Sequence, residues 1–360
     1  VLLNEFSSLD LLGASREQVY GEEATLLVEG QTVLVTGAGG SIGSEIVAQL
    51  LRLGAERVVC VDRDEYALYS SLIERTGTAL MSEPDVFLCD IQDYAAVSRI
   101  MSETNPSMVF HAAAYKHVPT LEHMPGAAIL NNIMGTENVM RAASEHGVRR
   151  VVNISTDKAA NPVNVLGLSK RAAEMVARHY ANEKTHVASV RFGNVLGSRG
   201  SFVETMVRQL RAGRPVTVTD PEMTRYFMTI PQAAGLVIEA AVLANGGRTY
   251  VLDMGEPIKI TELVRRYAEF IGVPDPEIRI MGSRPAEKLR EELYDRSEAC
   301  LPTRHPEISM VRVGEGAASF LSDLHRLYGE VRDGDASPLQ LRAELERIVQ
   351  AAVTTSTVRA

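Results

Sequence analysis

Val33-Leu34-Val35-Thr36 runs straight into Gly37-Ala38-Gly39-Gly40-Ser41-Ile42-Gly43, and a helix-length amphipathic segment, 44–53, follows at once. A short apolar run, a glycine turn and a helix in direct succession open a strand–turn–helix unit of an α/β fold. The glycines at 37, 40 and 43 form the pattern G-x-x-G-x-x-G. Gly37 permits the tight turn, Gly40 lets the backbone approach a pyrophosphate, and Gly43 lets helix and strand pack closely. Ser41 and Ile42 lie at the helix N-terminus, where free N–H groups and the dipole favour an anion.

Working outward, Asp62 ends the next apolar run about 20 residues on, the distance a dinucleotide site requires. An acid there accepts hydrogen bonds from the adenosine ribose, which favours NAD. Arg63 beside it is able to take a 2′-phosphate, so NADP stays open. Asp90, with Ile91 after it, follows the third run and is placed for the adenine. Ala112 follows the fourth and joins the cofactor set.

Further strand-length runs are expected at 57–61, 86–88, 108–111, 151–154 and 186–191, with amphipathic helices between them at 94–103, 127–146 and 166–182. Strands alternating with helices imply a parallel sheet covered on both faces. The fold class expected is α/β, a Rossmann-type doubly wound parallel sheet with a smaller, partly interleaved C-terminal substrate lobe. The chain divides into a lead-in (1–30), a dinucleotide-binding domain (31–192), a substrate lobe richer in Gly and Pro (193–310), and a tail (311–360). The tail ends in an amphipathic stretch, 338–353, carrying Leu339, Leu341, Leu345 and Ile348.

The 360 residues are 45% hydrophobic and 23% charged, which excludes a disordered or disulfide-scaffold chain. The 37 basic and 46 acidic residues leave a net charge of −9 with no basic run, so neither nucleic acid nor an anionic membrane is an expected partner. Three cysteines, Cys60, Cys89 and Cys300, lack metal spacing; no metal is expected, and a cytoplasmic location fits. No apolar run is long enough to span a bilayer. The sequence starts at Val1, which leaves room for upstream material.

At Gly37–Glu45, His111–Leu121 (HAAAYKHVPTL), Ser155–Lys170 (STDKAANPVNVLGLSK), Arg191–Ser201 (RFGNVLGSRGS) and Arg284–Leu293 (RPAEKLREEL), the chain resembles one group of the extended short-chain dehydrogenase/reductase superfamily. That group is the CapD-like polysaccharide biosynthesis proteins, the UDP-N-acetylglucosamine 4,6-dehydratases. The resemblance runs from about residue 10 to residue 308. Many members carry membrane-spanning helices ahead of the catalytic domain; this sequence shows none, and its start at Val1 leaves open whether such a region precedes it.

The resemblance implies a sugar-nucleotide dehydratase with tightly held NAD. A hydride leaves carbon 4 of the sugar, the resulting ketone acidifies carbon 5, water is lost across carbons 5 and 6, and the hydride returns to carbon 6. By the same resemblance Asp157 is the acid for the carbon 6 hydroxyl, Lys158 the base for carbon 5, and Thr156 a partner of the carbon 4 oxygen. Such an acid needs a raised pKa and such a base a lowered one. Lys170 belongs to the superfamily's Tyr-x-x-x-Lys, whose spacing puts both side chains on one helix face. Position 166 here is Leu, which cannot act as a base, so the carbon 4 proton must leave through Asp157 or a water held by Thr156 and Asp157.

Lys116 and His117 are expected over the sugar or nicotinamide. On the substrate side, Asn194 and Arg225 resemble phosphate contacts, and Arg284 with Glu287 resembles a pair that grips the pyrophosphate and the uridine ribose, with Lys288 assisting. The group has glycine where this chain has Ala286. Leu301–Pro306 is typical of the group, with no role beyond closing the lobe. The expected partner is a UDP-N-acetylhexosamine, with a homo-oligomer formed through helix faces. A UDP-sugar 4-epimerase and a non-catalytic NAD-binding regulatory protein are the alternatives. Asp157–Lys158 speaks against the first; the preserved UDP-binding set speaks against the second.

Overall fold

The structure, a computed structural model, describes residues 21–77, 85–282, 286–295, 298–313 and 317–357. Thr32–Thr36 (β1), Arg57–Asp62 (β2), Val86–Leu88 (β3), Met108–His111 (β4), Arg150–Ile154 (β5) and His186–Arg191 (β6) lie parallel in the order β3-β2-β1-β4-β5-β6. The order reverses between β1 and β4, and a ligand crevice opens at such a switch point, outside the carboxyl ends of the strands. The glycine turn stands there.

Both faces of the sheet are covered, which is why the strands read as unbroken apolar runs. Val33, Val35, Val58, Phe110, Val152 and Val190 pack on one face with the helices Ser41–Arg52 and Ile230–Leu243. Leu34, Val59, Val109, Val151 and Val187 pack on the other with Tyr94–Thr104 and Gly135–Glu145. The amphipathic stretch expected as one helix over 127–146 enters instead as a short α-turn, Pro125–Ala128, then a π-helix, Ile129–Met134, before continuing as Gly135–Glu145.

After β6 the chain leaves the sheet and forms Asn194–Leu196 (β7), Val216–Val218 (β8), Thr224–Arg225 (β9) and Phe227–Thr229 (β10). It returns as Arg248–Leu252 (β11), parallel to β6, and leaves again for Ile258–Lys259 (β12) and Ile278–Ile280 (β13). It comes back as Cys300–Pro302 (β14) and Ile308–Val311 (β15), antiparallel at the sheet edge. The small lobe has its own core of Val203, Met206, Val207, Val216, Val218, Leu263, Val264 and Tyr267. The stretch Leu301–Pro306, expected to close the lobe, is the end of β14 and the turn into β15. It closes the main sheet, with the Thr303 hydroxyl donating to the Ile308 carbonyl at 2.6 Å.

Within the lead-in, residues 1–20 lie outside the described residues; Glu22–Val28 is a helix whose Ala24 and Val28 are buried in the main core. The helices Phe320–Asp333 and Pro338–Thr357 fold back onto Ile129, Ile133, Met134, Leu168, Met175 and Val176. Leu341, Leu345 and Ile348 are buried there, whereas Leu339, named with them in the amphipathic stretch, is exposed. Glu137, itself buried, fastens the tail by accepting from Tyr328 Oη at 3.0 Å and pairing with His325 Nε2 at 2.7 Å. Among the described residues no helix is long and apolar enough to cross a membrane.

Leu345 is fully buried, so Leu345→Ala leaves a cavity in the tail contact. The expected cost is about 2–5 kcal/mol, read as a lower urea midpoint, with dinucleotide affinity unchanged.

Candidate active site

Two cavities meet at the carboxyl ends of the central strands. The smaller, about 140 Å³, is lined by Gly37, Gly40, Asp62, Arg63, Ile91, Ala112 and Asn131, among others. The larger, about 450 Å³, is lined by Ile42, Lys116, His117, Thr156, Lys158, Leu166, Lys170, Asn194, Arg225, Glu287 and Glu291, among others. Ala112, Ala114 and Tyr115 line both. A ligand with two ends therefore fits between Asp62 and Lys170, as a dinucleotide requires.

The glycine turn is built by close approach. Gly37 has φ +69°, and a Cβ there would stand 2.6 Å from the Ala113 nitrogen. A Cβ on Gly43 would stand 2.0 Å from the Gly37 carbonyl oxygen. Asp62 holds the turn as well as facing the cavity, its Oδ2 accepting from the Gly39 N–H at 3.0 Å. Ser41 Oγ accepts from the Arg199 N–H at 3.0 Å, joining the turn to the loop ahead of the small lobe.

Arg63 lies on the wall of the smaller cavity, but Asp90 differs from its expected placement. Asp90 is not on the cavity wall; it pairs with Arg63 at 3.4 Å and accepts from the Gln92 N–H. Arg63 also donates to the Tyr115 hydroxyl, with its guanidinium 4.5 Å from the ring centroid. The side chain that was to take a 2′-phosphate is thus already engaged on two sides.

Beneath the cavities, Thr36 on β1, His111 on β4 and Asn153 on β5 stand in register. The Thr136 hydroxyl donates to the Asn132 carbonyl at 2.7 Å, so it accepts from His111 Nε2–H at 2.9 Å. His111 Nδ1 then accepts from the Thr36 hydroxyl at 2.7 Å. Burial, with Lys170 nearby, pushes the His111 pKa down to about 3 and keeps the ring neutral. Asn132, in the π-helix, bonds both the N–H and the carbonyl of Tyr115 and so fixes the wall between the two cavities. Sequence reasoning missed Asn132, although two asparagines inside Ile129-Leu-Asn-Asn-Ile-Met134 are a visible signal.

Asp157 and Lys158 form the turn after β5. Lys158 Nζ lies 3.0 Å from Asp157 Oδ1, and the Thr156 hydroxyl donates to that same oxygen at 2.8 Å. Asp157 Oδ2 is buried with no hydrogen-bond partner among the described residues. Burial works to lower the Lys158 pKa, but Asp157 and Glu291 outweigh it and leave it above the ordinary lysine value. The lowered value expected of a base is therefore not what these neighbours give Lys158. Lys170 is buried on the helix Val165–His179, one turn past Leu166, and burial brings its pKa down to about 8, opposed by Glu174. Leu166 is buried beside Leu121, Ala128 and Val165.

Lys116 and His117 stand at the mouth, His117 against Gly200. Partial burial lowers the Lys116 pKa, with Glu204 opposing and Arg199 adding. Asn194 Nδ2 donates to the Tyr226 carbonyl at 3.3 Å. Arg225 uses Nη1 on the carbonyls of Thr224 and Leu289. Glu287 is on the larger cavity's wall; Arg284 lies outside the described residues. Among the described residues no cluster of His, Cys, Asp or Glu is arranged to hold a metal.

With the site's geometry in view, residues 33–313 match the family described as polysaccharide biosynthesis protein. The chain belongs to that family. It is 46% identical over 298 residues to the capsular polysaccharide biosynthesis protein CapD of Staphylococcus aureus, across 80% of this chain and 49% of that one. It is 41% identical over 335 residues to the probable polysaccharide biosynthesis protein EpsC of Bacillus subtilis, across 90% and 56%. The chain thus spans about half the length of these curated relatives. A solved structure titled Pen, from Bacillus thuringiensis, superposes with a TM-score of 0.72 at 34% identity, over 79% of this chain and 87% of that one. The Thermus thermophilus UDP-glucose 4-epimerase in complex with NAD superposes at 0.64 with 25% identity, over 73% and 90%. The chain is a CapD-like member of the extended short-chain dehydrogenase/reductase superfamily, with the Rossmann-type architecture of that superfamily.

Two measurements follow from this geometry. Gly43→Ala forces the helix off the turn, and NAD affinity measured by calorimetry is expected to fall about tenfold or more, ~1.4 kcal/mol. Because His111 stays neutral in the fold to about pH 3, only the unfolded chain gains its proton below about 6.5. Stability therefore falls with pH, by about 1.4 kcal/mol per unit below that point. Urea midpoints at pH 7 and pH 5 are expected to show this slope reduced in His111→Gln.

Proposed function

We propose that this chain catalyses the 4,6-dehydration of a UDP-N-acetylhexosamine, with UDP-N-acetylglucosamine as the first candidate, giving a 4-keto-6-deoxy sugar nucleotide for cell-surface polysaccharide or glycan synthesis. The observation that carries this reading is the Asp157–Lys158 pair at the end of β5, with Asp157 buried, Lys158 Nζ 3.0 Å from it, and Lys158 on the wall of the cavity that Lys170 also lines. An elimination needs an acid and a base on one substrate, and the pair supplies both.

NAD, when bound between Asp62 and Lys170, would supply the acceptor for the carbon 4 hydride and return it at carbon 6. Asp62 on the cavity wall and the double engagement of Arg63 support NAD over NADP. Lys170, on the wall of the larger cavity, would hold the nicotinamide ribose.

The chain's own groups then manage three protons. Leu166 offers no base for the carbon 4 hydroxyl, but Thr156 Oγ does offer an acceptor, since its own proton is directed at Asp157 Oδ1. As the carbon 4 hydroxyl gives its proton to Thr156, the Thr156 proton passes to Asp157. Asp157, now a carboxylic acid, protonates the departing carbon 6 hydroxyl, so the carbon 4 proton leaves in the water formed. Lys158, in its neutral form, takes the carbon 5 proton and returns one to carbon 5 at the end. No proton is gained or lost over the cycle.

A UDP-sugar 4-epimerase would use the same cofactor site, but it needs no pair for eliminating water and relies on the tyrosine that Leu166 replaces. Incubation with UDP-N-acetylglucosamine in water and in heavy water, followed by mass spectrometry, separates the two. Dehydration is expected as a loss of about 18 Da with one deuterium gained in heavy water, as the acid–base scheme requires. Asp157→Asn is expected to lower turnover by a factor of about 10²–10⁴. A new UDP-N-acetylgalactosamine product of unchanged mass would overturn dehydration in favour of epimerisation.

A further inference from the structure

The loop that carries Glu287 brings a second carboxylate into the larger cavity. Glu291 is buried on the cavity wall, and its Oε1 lies 3.5 Å from Lys158 Nζ and 3.9 Å from Arg225 Nε. Lys158 is therefore held between two carboxylates, with Asp157 Oδ1 at 3.0 Å on its other side. The loop is itself pinned. The Leu289 carbonyl accepts from the Thr224 N–H at 3.1 Å and from Arg225 Nη1 at 3.2 Å. Further on, Glu298 is gripped by Arg171 and Arg191.

We propose that Glu291 is a positioning residue of the elimination: it fixes the Lys158 ammonium in the pocket and sets the pH above which Lys158 can accept the carbon 5 proton. This rests on the dehydratase reading above.

The physical argument is short. A protonated amine cannot take a proton, so Lys158 must first release one Nζ proton to water through the cavity. The charged groups facing it are Asp157 from its own turn, Glu291 from the substrate-side loop and Arg225 from β9. Asp157 cannot be neutralised in advance, because it must be ionised to receive the carbon 4 proton. Glu291 is the one of these carboxylates with no proton to carry. Its charge keeps Lys158 loaded and oriented, and its distance decides how firmly. An opposite charge this close shifts a pKa by about 1–3 units.

The test reads the Lys158 proton directly. Wild type, Glu291→Gln and Glu291→Asp are trace-labelled with acetic anhydride between pH 7 and 10, and modification of Lys158 is measured by mass spectrometry against the exposed Lys184 of the same chain. Glu291→Gln keeps the shape and removes the charge; the ratio at pH 8 is expected to rise about tenfold or more, one pKa unit being a factor of ten. Glu291→Asp keeps the charge and is expected to stay within about threefold of wild type, since its carboxylate still faces the ammonium. The alkaline rise of kcat/KM with UDP-N-acetylglucosamine is expected to move down by about 1–3 pH units in Glu291→Gln. A purely structural role would lower the rate without moving that limb. Unchanged labelling in Glu291→Gln overturns the role of Glu291 even if the enzyme dehydrates its substrate. A wild-type chain that yields no keto sugar while its labelling responds overturns the dehydratase reading instead.

Discussion

The Arg191 guanidinium is fully buried at the end of β6, held by Glu174 through Nε and Nη2 at 2.7 Å each and by Glu298 through Nη1 at 2.7 Å. Arg171 adds a further bond to Glu298, and the Ser155 hydroxyl donates to Glu174 at 2.6 Å. Two positive and two negative side chains thus cancel within one dry cluster. Buried charges persist only when paired and hydrogen-bonded in this way, and removing one partner strands the rest. What the cluster joins matters more than what it adds to stability. Ser155 precedes the Thr156–Lys158 turn, Arg171 and Glu174 share a helix with Lys170, and Glu298 ends the segment carrying Glu287 and Glu291. The Asp157–Lys158 pair, Lys170 and the carboxylates of Glu287 and Glu291 are therefore referenced to one point.

Most of the sheet was legible because its strands are buried on both faces and its helices have one apolar stripe. Val33–Thr36 and the glycines after it decide the fold, and the register follows once neighbouring apolar runs are laid side by side. The positions of Asp157, Lys158, Leu166 and Lys170 were legible for the same reason: they sit immediately after a strand or on the first turns of a helix, where spacing in the chain translates into spacing in the site.

The rest depended on contacts between distant segments. Arg63 reads as a free cation until the fold sets Tyr115 and Asp90 beside it. Glu291 was not singled out within Arg284–Leu293, because only the folded loop sets it, buried, 3.5 Å from Lys158 Nζ. Arg191, a charge within an apolar strand, was a visible anomaly, but its partners lie 17 and 107 residues away. Leu339 shows what helical periodicity decides: two residues before Leu341 it stands about 200° round the helix, on the face turned away from Leu345 and Ile348, and it is exposed.

The two tail helices cover Ile129, Met134, Leu168 and Met175, on the π-helix and on the helix bearing Lys170. In effect the chain carries its own partner for that surface. Where another protein would have to meet a second copy to hide those side chains, this one hides them by itself at every concentration. The rigidity of the helix that presents Lys170 is then independent of dilution, and any assembly of several copies has to be built on other ground.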